Sequence, residues 1–458
     1  MMRPFTLAEL ATLTGGRLLG ADATVTGAAI DSRAVAAGDL FAALPGSRAD
    51  GHAFLAAARE AGAAAALVSR PVDDPLPQLL VDDEAAALGR FGRANRDLYS
   101  APLVGITGSC GKTTVKGMLA AVLGGQGPTL ATAGNLNNEL GVPLSLLRLA
   151  PEHAFAVIEL GARGIGHIAY LCELARPTVS VLLNAMEAHL EFFGSVDGVA
   201  EGKGEIFDGL PADGFAVVNA DQPWREEWTA RAARTGATVL TFGMADDAQF
   251  RAGAVALRGE AGSAFTLHTP AGEAAVELAV PGGHNVANAL AAAAVAYACG
   301  LGPDAIAAGL SRAGAVEGRL VRHRGRSGIT VIDDCYNASP GSVRAAIDLL
   351  ASCAGPTVIA LGAMLELGDA ADGFHAEMGR RARERGIDVF VGVGDAVRPA
   401  LEAFGPGGHW YATREQAAEA ADDWSAAAAT VLVKGSRGAG METVLQALLP
   451  DEPEAACS

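Results

Sequence analysis

Short apolar runs recur along the chain, each ended by glycine or a polar residue and followed by a stretch with helical spacing. In the middle of the chain they are Leu103–Ile106, Phe155–Leu160, Val179–Leu183 and Phe215–Val218. After Lys112 the apolar residues Val115, Met118, Leu119 and Val122 keep a period near 3.6, which predicts a helix. A second set follows at Ile329–Asp333, Thr357–Leu361, Asp388–Val393 and Thr430–Val433, with helices predicted around 341–352, 374–385 and 414–427. Continuous apolar strands alternating with helices imply parallel sheets covered on both faces. The first hundred residues are less regular. Asp39–Leu44 ends at the turn signal Pro45-Gly46, Ala53–Gly62 reads as a helix, Ala65–Ser69 as a buried strand, and 70–78 is proline-rich. The Ala-rich run Asn288–Cys299 reads as a buried helix.

The pattern divides the chain into three α/β units: 1–100 small and mixed, 101–314 a central mononucleotide-binding parallel sheet, and 315–458 a Rossmann-like unit. Glycines and arginines at 314–326 suggest a hinge. A length of 458 residues agrees with about three domains, and 50% hydrophobic residues suffice for several cores. The net charge of -18 argues against a nucleic-acid partner, which calls for basic stripes. The six cysteines, at 110, 172, 299, 335, 353 and 457, include no Cys-x-x-Cys pair. That spacing fits reduced thiols and a cytoplasmic location. The start MMRPFTLAEL lacks the layout of a signal peptide, and no apolar run reaches the length of a membrane span.

Lysine is the rarest signal. Of 34 basic residues only Lys112, Lys116, Lys203 and Lys434 are lysine, and each touches a glycine. A lysine amine differs from a guanidinium because its pKa can fall and the neutral amine can react. Lys112 sits in Thr107-Gly108-Ser109-Cys110-Gly111-Lys112-Thr113-Thr114, a phosphate-loop variant whose first glycine is displaced from the strict pattern. Small residues let backbone N–H groups curl around phosphate oxygens at the positive end of the following helix. Lys112 would reach the β- and γ-phosphates, and Thr113 would offer a hydroxyl to Mg²⁺. Glu159 ends a predicted strand, where it is either a Mg²⁺ ligand or a solvated acid. His189 follows the next strand, as a ligand or a structural residue. Lys203, between two glycines, is either a surface lysine or an amine that takes up CO₂ to become an anionic carbamate. Asn135, Asn137 and Asn138 form either a peptide- or sugar-recognition turn or an ordinary polar turn. Asn285 and Asn288 either cap the Ala-rich helix or contact a base. Paired acids Asp333 and Asp334 suit a ribose, and Lys434 with Ser436 and Arg437 suits an anion.

Longer motifs are similar to those of the Mur ligases, ATP-dependent peptide-forming enzymes of bacterial cell-wall synthesis. They are Gly-Asn-Leu-Asn-Asn-Glu-Leu-Gly-Val-Pro at 134–143, Ala-His-Leu-Glu at 188–191, Gly-Glu-Ile-Phe at 204–207, Asp-Cys-Tyr-Asn-Ala at 334–338 and Leu-Glu-Leu-Gly-Asp at 365–369. Asp31-Ser-Arg33 and the stretch Pro45–Phe54 resemble the family's UDP-binding domain. Within the family the chain most resembles the type that joins D-alanyl-D-alanine to UDP-N-acetylmuramoyl-tripeptide. Asp-Asn-Pro-Arg, common late in the type that adds a diamino acid, does not occur in it.

The resemblance implies the following roles. Loop residues 107–114 hold ATP, with Asn285 and Asn288 on the adenine side, Arg319 near the γ-phosphate and Asp334 on the ribose. Thr113, Glu159, His189 and carbamylated Lys203 serve two Mg²⁺ sites. Lys112, Glu159, His189, Lys203 and Arg319 carry catalysis. Ser32, Arg33 and Gly46 lie on the uridine side, Asn135, Asn137 and Asn138 along the muropeptide, and Tyr336, Asn337 and Lys434 in the domain receiving the dipeptide. It also implies an acyl-phosphate intermediate, a monomeric enzyme, and a part in cell shape and division. The competing readings are a sibling ligase adding a single amino acid or glutamate to folate, a P-loop hydrolase or kinase, and a catalytically dead binding scaffold, which the intact set Lys112, Thr113, Glu159, His189 and Lys203 disfavours. The asparagine motif and the N-terminal domain disfavour the first; Lys203 together with His189 disfavours the second.

Overall fold

The computed structural model describes residues 2–46, 49–425 and 429–450. Ser47 and Arg48 of the Pro45–Phe54 motif, residues 426–427 of the helix predicted at 414–427, and Cys457 lie outside the described residues.

Each α/β unit has its own sheet. The N-terminal sheet runs Arg17–Leu19, Gln78–Leu80, Ala65–Val68, Asp39–Ala42, Gly27–Ala29, with only the first pair antiparallel. Its helix Glu84–Asp97, which the sequence pattern did not reveal, joins it to the next unit. Buried Asn95 donates to Leu146 O (2.8 Å) and Leu149 O (3.1 Å), and Arg96 to Ala175 O (2.7 Å). These bonds tie the helix to carbonyls at and just beyond the ends of two helices of the central unit.

The central sheet is fully parallel in the order Thr238–Phe242, Phe215–Asn219, Val179–Leu182, Leu103–Thr107, Phe155–Glu159, Thr129–Ala131. Leu103–Thr107 pairs with Phe155–Glu159 on one side and Val179–Leu182 on the other. The chain order reverses there, and such a switch point opens a crevice at the carboxyl ends of the strands. The helices Lys112–Gly124 and Gly283–Ala298 cover one face, the latter buried along its alanines.

A three-stranded antiparallel sheet, Arg251–Leu257, Ser263–Thr269 and Gly272–Leu278, was not foreseen. Only one of its faces is buried, so its strands lack the continuous apolar runs of the parallel sheets.

The C-terminal sheet runs Val321–Arg324, Thr330–Asp334, Thr430–Lys434, Thr357–Leu361, Val389–Val393, Gly408–Tyr411, antiparallel only at the first pair. Part of the segment read as a hinge is therefore an edge strand, preceded by a tight turn in which Arg319 N donates to Val316 O (2.9 Å). The helix predicted at 414–427 divides at Ala420 into Arg414–Glu419 and Ala421–Trp424. Among the described residues no helix is long and apolar enough to cross a membrane, and the five described cysteines are free thiols.

Candidate active site

The phosphate loop leaves the strand Leu103–Thr107 and enters the helix Lys112–Gly124 through Gly111, whose φ of 87° is left-handed. A Cβ at Gly111 would stand 2.5 Å from Asn288 Oδ1, so both conformation and space require glycine. Asn288 in turn donates to Asn285 Oδ1 (2.8 Å), and Asn285 donates to Pro281 O (2.7 Å). Both asparagines thus brace the start of their helix beside the loop.

Asn184, after the strand Val179–Leu182, shapes the loop from the other side. Its Oδ1 accepts from Cys110 N (2.9 Å), its Nδ2 donates to Cys110 O (3.2 Å), and its carbonyl accepts from Ser109 N (3.0 Å). Thr107 is fully buried and donates to Leu160 O (2.9 Å), tying the loop strand to its neighbour. Lys112 folds back to donate to Gly108 O (2.6 Å). Burial lowers its pKa, and Glu159 opposes that. Thr114 stands on the first helical turn, half-buried.

Glu159 is the convergence point. The carboxylate is 2% exposed at the end of its strand. Oε1 accepts from Asn137 Nδ2 (2.8 Å); Oε2 accepts from Thr113 Oγ1 (3.3 Å) and lies 3.2 Å from Lys116 Nζ. Burial would raise its pKa, but Lys112, Lys116 and the Asn137 amide outweigh it and keep the group ionised. Lys116 also donates to Gly134 O (2.7 Å), anchoring the asparagine loop. Asn137 therefore orients a carboxylate, whereas Asn135 is exposed and Asn138 closes its own turn by accepting from Gly141 N (2.9 Å). Lys116 and Asn184 were not singled out as site residues. Their partners lie far along the chain, and only the unusual rarity of lysine hinted at the first.

Arg319, from the C-terminal unit, donates to Thr113 Oγ1 (3.1 Å) and lies 4.4 Å from the Tyr336 ring centroid. Its buried Nε has no partner among the described residues. His189 is left-handed (φ 56°), and its Nδ1 meets Glu366 Oε2 of the C-terminal unit. Burial lowers the His189 pKa, Lys203 and Lys112 add to that, and Glu366 opposes it. Lys203, 1% exposed on the helix Val196–Gly204, lies 5.8 Å over the Phe193 ring and makes no hydrogen bond or ion pair among the described residues. Burial first, and the Lys112 charge second, push its amine down to about 7.

Of the expected dipeptide residues Tyr336 stands against Arg319 at the edge of this cluster, while Lys434 and the expected uridine residues are engaged elsewhere. Lys434, 2% exposed, pairs with Asp334 Oδ2 (2.5 Å) and donates to Asn337 O (2.9 Å). Burial raises the Asp334 pKa and Lys434 opposes it. Lys434 is thus turned inward to Asp334. Arg33 pairs with Asp31 (2.7 Å) from the short 3-10 turn Ser32–Ala34 on the N-terminal unit, its side chain 88% exposed. Gly46 donates to Ala49 O (3.1 Å). Ser32, Arg33 and Gly46 belong to the far domain and are not part of the phosphate-loop cluster.

Residues 24–91, 106–296 and 318–437 match the family descriptions "Mur ligase family, catalytic domain", "Mur ligase middle domain" and "Mur ligase, glutamate ligase domain". The chain is 44% identical over 450 residues to UDP-N-acetylmuramoyl-tripeptide--D-alanyl-D-alanine ligase of Escherichia coli, covering 97% of this chain and 98% of that one. The chain belongs to the Mur ligase family. This Mur ligase is also 37% identical to the Mycobacterium tuberculosis protein of the same name, over 98% of this chain and 99% of the other. Among solved structures, MurF from Acinetobacter baumannii superposes with a TM-score of 0.91 at 35% identity, covering 97% of this chain and 98% of that one. MurF ligase from Thermotoga maritima in complex with ADP gives 0.81 at 29% identity, over 92% and 96%. The three-domain α/β architecture expected from the sequence is the one these structures share.

Proposed function

We propose that this Mur ligase is an ATP-dependent, ADP-forming ligase that joins D-alanyl-D-alanine to UDP-N-acetylmuramoyl-tripeptide in peptidoglycan synthesis. The observation that carries this reading is the identity of 44% to a ligase of that name along 97% of the chain. The site supplies matching chemistry. In the proposed reaction the terminal carboxylate of the tripeptide attacks the γ-phosphate, forming an acyl phosphate and releasing ADP. The dipeptide amine then attacks the acyl carbon, and phosphate leaves with the bridging oxygen.

The chain's part is to position groups and neutralise charge. Lys112 leaves the Gly108 carbonyl for the phosphate oxygens, and Arg319 brings a second cation from the C-terminal unit to the same place. Helix-terminal amides at 112–114 add partial positive charge. Asn285 and Asn288 flank the adenine side and Asp334 the ribose. The dipeptide lies against Tyr336 and Asn337, and the uridine end against Ser32, Arg33 and Gly46. Asn135 and the Asn138 side-chain N–H face the muropeptide, the Asn138 Oδ1 being held by Gly141 N. Lys434 acts by holding Asp334 in place.

Two Mg²⁺ sites fit the donors present. A buried carboxylate beside a hydroxyl, Glu159 with Thr113, is a hard oxygen pair suited to one. His189 and carbamylated Lys203 suit the other. Fit for the carbamate rests on a buried amine without a partner whose pKa near 7 leaves a large neutral fraction. When bound, the cations polarise the γ-phosphoryl group and offset its charge. A monomeric enzyme acting in the cytoplasm is part of the same reading.

Phosphate release from ATP tests the reading. It should require UDP-N-acetylmuramoyl-tripeptide and D-alanyl-D-alanine together. Release with one free amino acid in place of the dipeptide would move the chain to a sibling ligase; release with neither substrate would make it a hydrolase.

A further inference from the structure

The motif Leu365-Glu366-Leu367-Gly368-Asp369 has no role in the account above, yet its glutamate reaches the site. Glu366 lies at φ 61° and His189 at φ 56°, both left-handed conformations that cost free energy for residues with a Cβ. The two meet across the boundary between the central and C-terminal units, His189 Nδ1 on Glu366 Oε2. Arg163 Nη2 stands 3.6 Å from the other oxygen, Oε1. His189 Nε2 makes no hydrogen bond among the described residues. Both side chains are about 30% exposed, so neither strained backbone is forced by deep packing.

We propose that Glu366 is a positioning residue. From the C-terminal domain its carboxylate accepts the Nδ1 hydrogen of His189, fixes ring and tautomer, and leaves Nε2 for a divalent cation. Carboxylates behind metal-binding histidines commonly act this way, and losing one typically weakens metal binding 10–100-fold. Because partner and ligand sit on different domains, domain closure and completion of the cation site become one event. The inference rests on reading His189 as a Mg²⁺ ligand.

The test uses the full chain with ADP and Mn²⁺, bound metal being counted by electron paramagnetic resonance. Glu366→Gly should weaken one Mn²⁺ site about 10–100-fold. Its melting temperature should hold or rise, because glycine relaxes the φ of 61°. Glu366→Gln, still an acceptor, should fall between. The double variant His189→Gln/Glu366→Gly should bind no more weakly than His189→Gln alone. Nitrogen-15 spectra should show His189 protonated on Nδ1 in the native chain and a tautomer mixture in Glu366→Gly. Loss of Mn²⁺ binding in His189→Gln with unchanged binding in both Glu366 variants would overturn the proposal and leave the ligand reading standing. Unchanged binding in His189→Gln would overturn both.

Discussion

Replacing Lys203 by methionine should stabilise the protein while abolishing its activity. Methionine keeps the length of the stem and removes the amine of a residue that is 1% exposed, an amine with no hydrogen-bond partner among the described residues. The magnitude follows from the depressed pKa. The amine titrates near 10.5 in the unfolded chain and near 7 in the folded one. At about 1.4 kcal/mol per tenfold change, the full penalty is about 5 kcal/mol. The sign is fixed by linkage. Below pH 7 both states hold the proton and the folded protein bears the whole penalty. Between pH 7 and 10.5 only the unfolded chain binds the proton, so the penalty shrinks as pH rises. Measured without CO₂, Mg²⁺ or nucleotide, the gain in unfolding free energy for Lys203→Met should be about 4–5 kcal/mol at pH 6.5 and about 1.5 kcal/mol at pH 9.5. Bicarbonate should stabilise the native chain and leave the methionine variant unmoved. A gain equal at both pH values, or a methionine variant less stable than the native chain at pH 6.5, would refute the buried neutral amine and with it the basis for carbamate formation.

Arg319→Ala should lower kcat for phosphate release about 10²–10³-fold with a smaller change in KM, since its guanidinium acts where charge develops; steady-state kinetics decides. Gly111→Ala should lose ADP binding by calorimetry and destabilise the chain by about 1–3 kcal/mol, because φ is 87° and the new Cβ stands 2.5 Å from Asn288 Oδ1. Lys434→Met should cost about 3–5 kcal/mol in urea unfolding by leaving the buried Asp334 carboxylate unpaired, and Lys434→Met/Asp334→Leu should recover most of it. Double-variant costs that simply add would contradict the pairing.

Much of this architecture could be read because parallel sheets declare themselves as unbroken apolar runs. The eight strands expected in the central and C-terminal sheets fall within a residue or so of their expected ends, whereas Thr129–Ala131, Thr238–Phe242, Val321–Arg324 and Gly408–Tyr411, at the sheet edges, were not foreseen. Half-exposed strands do not carry that signal, so the antiparallel sheet at 251–278 went unseen. The helix Leu7–Thr14 carries a local signal of its own, the capping box of Thr6 with Glu9. Within the site, local chemistry was legible wherever one segment supplies it, as in the loop 107–114 and at the strand end bearing Glu159. Pairings across long stretches were not. Lys116 with Glu159, Asn184 with Cys110 and Glu366 with His189 join residues far apart in the chain. Nothing in the sequence sets Lys434 against Asp334 rather than toward substrate, because both strand ends are equally polar until the sheet order brings them together.

The central claim is ligation through an acyl phosphate, and one labelled oxygen tests it most directly. UDP-N-acetylmuramoyl-tripeptide carrying oxygen-18 in its terminal carboxylate would be incubated with ATP and D-alanyl-D-alanine, and the phosphate and peptide products weighed. The account predicts a pentapeptide product and one oxygen-18 in every phosphate released by ligation. Unlabelled phosphate would mean that water, and not the peptide carboxylate, attacks ATP, and the ligase mechanism would be contradicted.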